Sequence, residues 1–168
     1  TWDRDTDIVY IYDCYVMRQE TFPVHASAIN GRGKWIPVVW PMDGRQADKG
    51  SGKSLTEQYR KEGVNMLRDH FSNPSSNGMK EGSGGNSVEA GIMEILTRMQ
   101  TKRLKIFKNQ SKLLEELRMY HRKDGKIVPA HDDVISAMRY CVMSLRKARI
   151  KNYQPMQLQT DSEFNVFK

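Results

Sequence analysis

The sequence predicts an α/β fold, a sheet covered by helices on both faces with an antiparallel hairpin at its start. Three observations lead there. Segments of strand character alternate with segments of helical period, "KWIPVVW" is an unbroken apolar run of the kind a strand buried on both faces has, and 168 residues suit one domain with a sizeable core.

The opening "TDIVYIYDCYVMR" is dense in β-branched and aromatic residues and follows "DRDTD", which has turn chemistry. It reads as the return strand of a hairpin whose partner lies mostly before residue 1. "ETFPVHASAINGRG" reads as a short helix closed by Asn30 and Gly31, and the buried run "KWIPVVW" follows, ended by Pro41 with Asp43 at its exit. "SLTEQYRKEGV" is then a helix with Ser54 as N-cap, Glu57 as its capping-box partner and Gly63 as its stop.

The stretch "SNPSSNGMKEGSGGNS", 72–87, is rich in Gly, Ser and Asn and reads as a mobile or disordered loop. Beyond it Val88, Ile92, Ile95, Leu96 and Met99 share one helical face, and "RLKIF" is a short strand. "NQSKLLEELRMYHR" is a helix with Leu113, Leu114, Leu117 and Tyr120 on one face and Asn109 or Ser111 as its cap, and "DGKIV" turns into a very short strand. The last helix, "DDVISAMRYCVMSLRKARI", carries the apolar stripe Val134, Ile135, Met138, Cys141, Val142 and Leu145. Acidic Asp132 and Asp133 open it and basic Arg146, Lys147 and Arg149 close it, as the helix dipole favours. The domain is expected over 1–150, and 151–168 is a tail without periodicity.

No run approaches the roughly 18 apolar residues of a membrane helix, and the start lacks the pattern of a signal peptide. Cys14 and Cys141 have no metal-site spacing and read as buried free thiols in a reducing compartment. With 27 Lys and Arg against 20 Asp and Glu, the net charge of +7 favours a polyanionic partner.

Two patterns compete for the chemistry. "ADKGSGKS" fits a relaxed phosphate loop, but a working loop leaves its strand directly, and here "PMDGRQ" intervenes. Such a site also needs a later apolar strand ending in Asp to hold magnesium, and none follows Ser54, so nucleotide binding is not expected. The carboxylates are the better site. A strand-end Asp43 lies where ligands bind in open α/β sheets, and Asp132 and Asp133 open a helix able to lean on the same edge. Three converging carboxylates hold Mg²⁺ or Mn²⁺. Against this, Asp43 before Gly44 is also an ordinary turn, a helix-start Asp is also an ordinary cap, and His131 just before the helix has no necessary role.

The segments "KWIPVVWPMDG", "GKSLTEQYRKEGV", "RLKIF", "LLEELRMYHRKDGK" and above all "HDDVISAMRYC" resemble, in order, the C-terminal nuclease domain of the large terminase subunit of tailed bacteriophages, of the short-tailed, headful-packaging type. The resemblance implies a ribonuclease H-like mixed sheet and a two-ion Mg²⁺ or Mn²⁺ endonuclease that cuts concatemeric double-stranded DNA. It places metal ligands at Asp43 and Asp132, with Asp133 as the alternative, and DNA contacts at Arg45, Lys49 and Lys53. The family's first metal Asp lies on the first hairpin strand, which has no counterpart in this chain, and its second helix Asp is replaced in "SA" by Ser136. An upstream ATPase domain, the portal protein and the small terminase subunit are the implied partners, the host cytoplasm the implied location, and no membrane is involved. Another nuclease or recombinase of the same fold, and a noncatalytic DNA- or partner-docking module, are the alternatives.

Overall fold

The computed structural model describes residues 1–47, 52–75, 84–128, 130 and 132–150. Its hairpin turn falls where "DRDTD" places it, but the partner strand expected mostly before residue 1 has its paired segment within the chain. Strand β1 (Trp2–Asp3) runs antiparallel to β2 (Ile8–Ile11), with Trp2 opposite Val9, and β2 pairs in parallel with β3 (Leu104–Ile106), giving a mixed sheet ordered β1-β2-β3. The turn depends on Asp7, which takes a left-handed conformation at φ 52°. Its carboxylate accepts from Trp2 Nε1 at 2.9 Å, Arg103 Nη1 at 2.6 Å and Arg98 Nη1 at 3.2 Å, tying the hairpin to the far side of the chain.

These bonds, the one from Trp2 foremost and those from Arg103 and Arg98 behind it, hold the Asp7 carboxyl below the usual carboxylate range. A carboxyl depressed in the folded state contributes stability above its unfolded pKa, about 3.9, and loses that contribution as pH falls through the folded value. Asp7→Asn is therefore expected to flatten the stability profile below about pH 4 relative to the native chain, as read from urea midpoints.

Helix α1 (Phe22–Arg32) runs two residues past the expected stop and ends at Gly33, φ 139°. Asn30 serves another purpose, its amide donating to the Glu62 carbonyl at 2.9 Å where α1 packs on α2 (Leu55–Lys61). The apolar run ahead of Asp43 is less regular than a full strand. Val38 forms a parallel bridge with Met66, with Val38 N–H donating to Asn65 O and Leu67 N–H to Val38 O, while only Trp40 of that run is fully buried.

Helix α3 (Val88–Gln100), α4 (Ser111–Met119) and α5 (Asp133–Met143) supply the rest of the core. Val9, Ile95, Leu104, Leu113, Val134, Ile135, Met138 and Val142 form one buried cluster across β2, β3 and these helices. The expected stripe of α3 is rotated. Val88, Leu96 and Met99 are exposed, while Gly91, Ile95 and Arg98 face inward. Gly91 is needed there because a Cβ would lie within 2.6 Å of Arg139 Cγ and Cδ on α5. Arg139 is itself buried, its guanidinium carbon 4.5 Å from the Tyr140 ring centroid and 5.2 Å from that of Phe71, a cation–π stack that partly offsets Nε and Nη1 atoms without acceptors.

Helix α4 starts after Gln110 rather than at Asn109 or Ser111 as cap, and it stops at Met119, so "HR" belongs not to the helix but to a second hairpin, β4 (Arg122–Lys123) with β5 (Lys126–Ile127). The 72–87 stretch is anchored at its ends. Asn73 is buried, its N–H donating to Gly85 O and its side chain to Ser87 O; the segment 76–83 between them lies outside the described residues, as does the tail from Lys151. Neither cysteine is fully buried: Cys14 is half-buried and Cys141 exposed, and both are free thiols. No helix among the described residues is long and apolar enough to cross a membrane.

Candidate functional site

Asp43 lies in a single 3₁₀ turn, Met42–Arg45, directly after Pro41. The neighbouring Gly44 is more than a turn residue. A Cβ there would stand 2.8 Å from the Trp40 ring and 2.9 Å from Thr56 Oγ1, and the buried Thr56 hydroxyl donates to the Gly44 carbonyl at 2.8 Å. Trp40 Nε1 donates in turn to Leu67 O at 2.7 Å. The backbone that presents Asp43 is thus fixed from both sides by buried groups, while its own side chain is exposed and has no hydrogen-bond or ion-pair partner among the described residues. A carboxylate left free on a fixed backbone is what a hard metal ion requires.

Asp132 occupies the N-cap position of α5, yet its side chain makes no cap bond. The capping is done by Glu116 of α4. Its buried carboxylate accepts from Val134 N at 2.8 Å and Ile135 N at 3.1 Å, the two amides an N-cap side chain would otherwise serve. Asp132 is therefore not an ordinary cap. Its charge, second to burial, raises the phenol of the half-buried Tyr120 above its ordinary value. Asp133 differs: its side chain is 85% exposed and stands 4.0 Å from Arg18, itself 81% exposed, a surface pair worth little.

The elements carrying Asp43 and Asp132 share a neighbour. Phe71 N–H donates to Trp40 O at 2.7 Å, and the Phe71 ring packs 4.5 Å from that of Tyr140 on α5. Among the described residues, however, no three His, Cys, Asp or Glu side chains stand close enough to hold one metal ion. The oxygen donors present suit Mg²⁺ or Mn²⁺ rather than a softer metal. Of the basic residues, Arg45 is exposed at the end of the Asp43 turn and Lys53 is exposed just before α2, while Lys49 and His131 lie outside the described residues.

The phosphate-loop pattern has a structural counterargument. Ala47 bridges Ser54 across its base, and the Ser54 N–H and hydroxyl contact Glu57 Oε2 at 2.9 Å and 3.0 Å, holding that carboxyl below its ordinary range. An anion, Glu57, already occupies the α2 N-terminus where a phosphate would sit.

Glu116 is the participant that the sequence reading passed over. The signal was present: Glu116 falls on the same face of α4 as Leu113, Leu117 and Tyr120, and a carboxylate inside an apolar stripe demands buried partners.

A mixed sheet, the bridged strand leading to Asp43 and a final helix led by Asp132 define an α/β domain of the ribonuclease H-like class. The chain matches the family of the terminase RNaseH-like domain over residues 1–145 and belongs to it. It is 40% identical over 150 residues to the terminase large subunit of Salmonella phage P22, covering 89% of this chain and 28% of that protein. It is likewise 40% identical over 143 residues to the terminase large subunit of Enterobacteria phage LP7, covering 84% of this chain and 28% of that one. The solved P22 large terminase nuclease domain superposes with a TM-score of 0.75 at 40% identity, over 88% of this chain and 73% of the other. The chain spans 28% of the length of these curated relatives.

Proposed function

We propose that this chain is the nuclease domain of a phage DNA-packaging terminase and that it cleaves concatemeric double-stranded viral DNA. The observation that carries the reading is the freed carboxylate of Asp132, kept out of helix capping by Glu116 at the start of α5. Asp43 and Asp132 are the metal ligands, with Asp133 in reserve. Two bound Mg²⁺ or Mn²⁺ ions would activate water and stabilise the leaving 3′ oxygen of the phosphodiester.

The chain's own part is positional. Trp40, Gly44 and Thr56 hold the Asp43 backbone, Glu116 holds the first turn of α5, and Arg45, Lys49 and Lys53 contact DNA phosphate. The same reading gives the chain an upstream ATPase domain in the same polypeptide, with the portal protein and small terminase subunit as partners in the host cytoplasm.

Supercoiled plasmid cleavage in Mn²⁺, Mg²⁺ and EDTA, by the full-length protein and by this chain alone, is the test. Metal-dependent nicking by the full-length protein, weak or lost in the short chain, is the expected result. A full-length protein that is inert in both metals removes the catalytic reading and leaves a noncatalytic docking module in its place.

A further inference from the structure

We propose that the β4–β5 ribbon is a second DNA-contacting element, in which Lys123 and Lys126 engage the phosphate backbone of the duplex next to the cleavage site; this rests on the DNA reading above. The ribbon pairs Lys123 directly with Lys126. Like charges placed opposite one another in a two-stranded ladder oppose its formation, and a hairpin this short has little else to hold it. Both lysines are exposed, and among the described residues neither has an ion-pair or hydrogen-bond partner. Asp124 in the turn offsets part of the excess, but its position there has a conformational cause. Asp124 and Gly125 are both left-handed, at φ 50° and 74°, as a tight two-residue hairpin turn requires.

The ribbon is nonetheless held in place, and its anchor is the one cation that is neutralised. Arg122 meets both carboxylate oxygens of Glu89 in the first turn of α3, and its Nη1 also donates to Gly125 O at 3.1 Å. The fork fastens the base of the ribbon to α3 and leaves the two lysines outward. Such an arrangement keeps paired positive charge preorganised for an anion.

Three features favour duplex DNA over an acidic protein surface. Only four residues lie between Ile127 and Asp132, a reach of at most about 17 Å over five steps, so a duplex with its scissile phosphate at Asp132 carries further phosphates within range of the ribbon. A two-stranded ribbon also has the width that a major groove admits. The chain as a whole carries a charge of +7, which draws a polyanion to it.

The experiment is fluorescence anisotropy of a labelled 30-bp duplex in EDTA, from 50 to 200 mM KCl, with the full-length protein as native, Lys123→Ala/Lys126→Ala and Lys123→Arg/Lys126→Arg forms. Each phosphate contact contributes about 0.9 to the slope of log affinity against log salt. The alanine pair is expected to lower that slope by about 1.8 and to weaken binding about sixtyfold near 100 mM, while the arginine pair binds like the native protein. If the native protein binds and the alanine pair matches it in slope and affinity, the ribbon is not a contact and the DNA reading stands. If the native protein shows no salt-dependent binding, the DNA reading fails and the ribbon falls with it.

Discussion

Asp132→Asn is expected to reduce metal-dependent cleavage by the full-length protein at least about a hundredfold, and Asp133→Asn to leave it within about twofold. The difference follows from what surrounds two adjacent carboxylates. Asp132 is half-buried and makes no cap bond, whereas Asp133 is 85% exposed and stands 4.0 Å from a similarly exposed Arg18 side chain. An isosteric change at Asp132 removes a negative ligand without removing a structural contact, so its melting temperature is expected to stay within about 2 °C of native. Asp43→Asn should behave as Asp132→Asn does, since its carboxylate is equally without partners while Gly44, Trp40 and Thr56 fix its backbone. Plasmid nicking in Mn²⁺ alongside thermal melts checks all three. Loss in Asp133→Asn with retention in Asp132→Asn would exchange their roles, and native rates in both Asp43→Asn and Asp132→Asn would end the metal assignment.

What was legible in the sequence was what depends on neighbours close along the chain. The Ser54–Glu57 capping box, the turn before β2, the position of β3 and most of the α5 stripe are local patterns, and each stands where the residues place it. Misplaced features depend on partners far along the chain. Asn30 looks like a helix stop but is used against Glu62 at the end of α2, and α3 turns its Gly91 and Arg98 inward because Arg139 and Asp7 are waiting there. The candidate site divides in the same way. Asp43 and Asp132 were visible as strand-end and helix-start acids, but the reason Asp132 is free lies eighteen positions away from Val134, in a glutamate whose partners no periodicity reveals.

That glutamate carries the other large effect. Glu116→Ala removes the acceptor of two buried amides at the start of α5, and at about 1 to 3 kcal/mol for each unpaired group the loss is expected to be about 3 kcal/mol. For a domain of this size that is a fall in melting temperature of about 6 to 12 °C. Glu116→Gln keeps an acceptor oxygen and loses mainly the charge at the helix N-terminus, about 1 kcal/mol. A fall below about 2 °C in the alanine variant would show that the carboxylate is not what holds α5. The vacated amides belong to Val134 and Ile135, the second and third residues of α5, which an N-cap side chain can reach, and the N-cap is Asp132. In the Glu116→Ala protein, Asp132 therefore has two competing demands on one carboxylate, and capping draws it away from metal. Adding Asp132→Ala should then cost about 1 kcal/mol more in that background while costing little in the native one, a coupling that a double-mutant cycle measures directly. Cleavage should fall in Glu116→Ala although both aspartates remain and should recover in Glu116→Gln, because Asp132 can serve a metal only while another carboxylate caps α5.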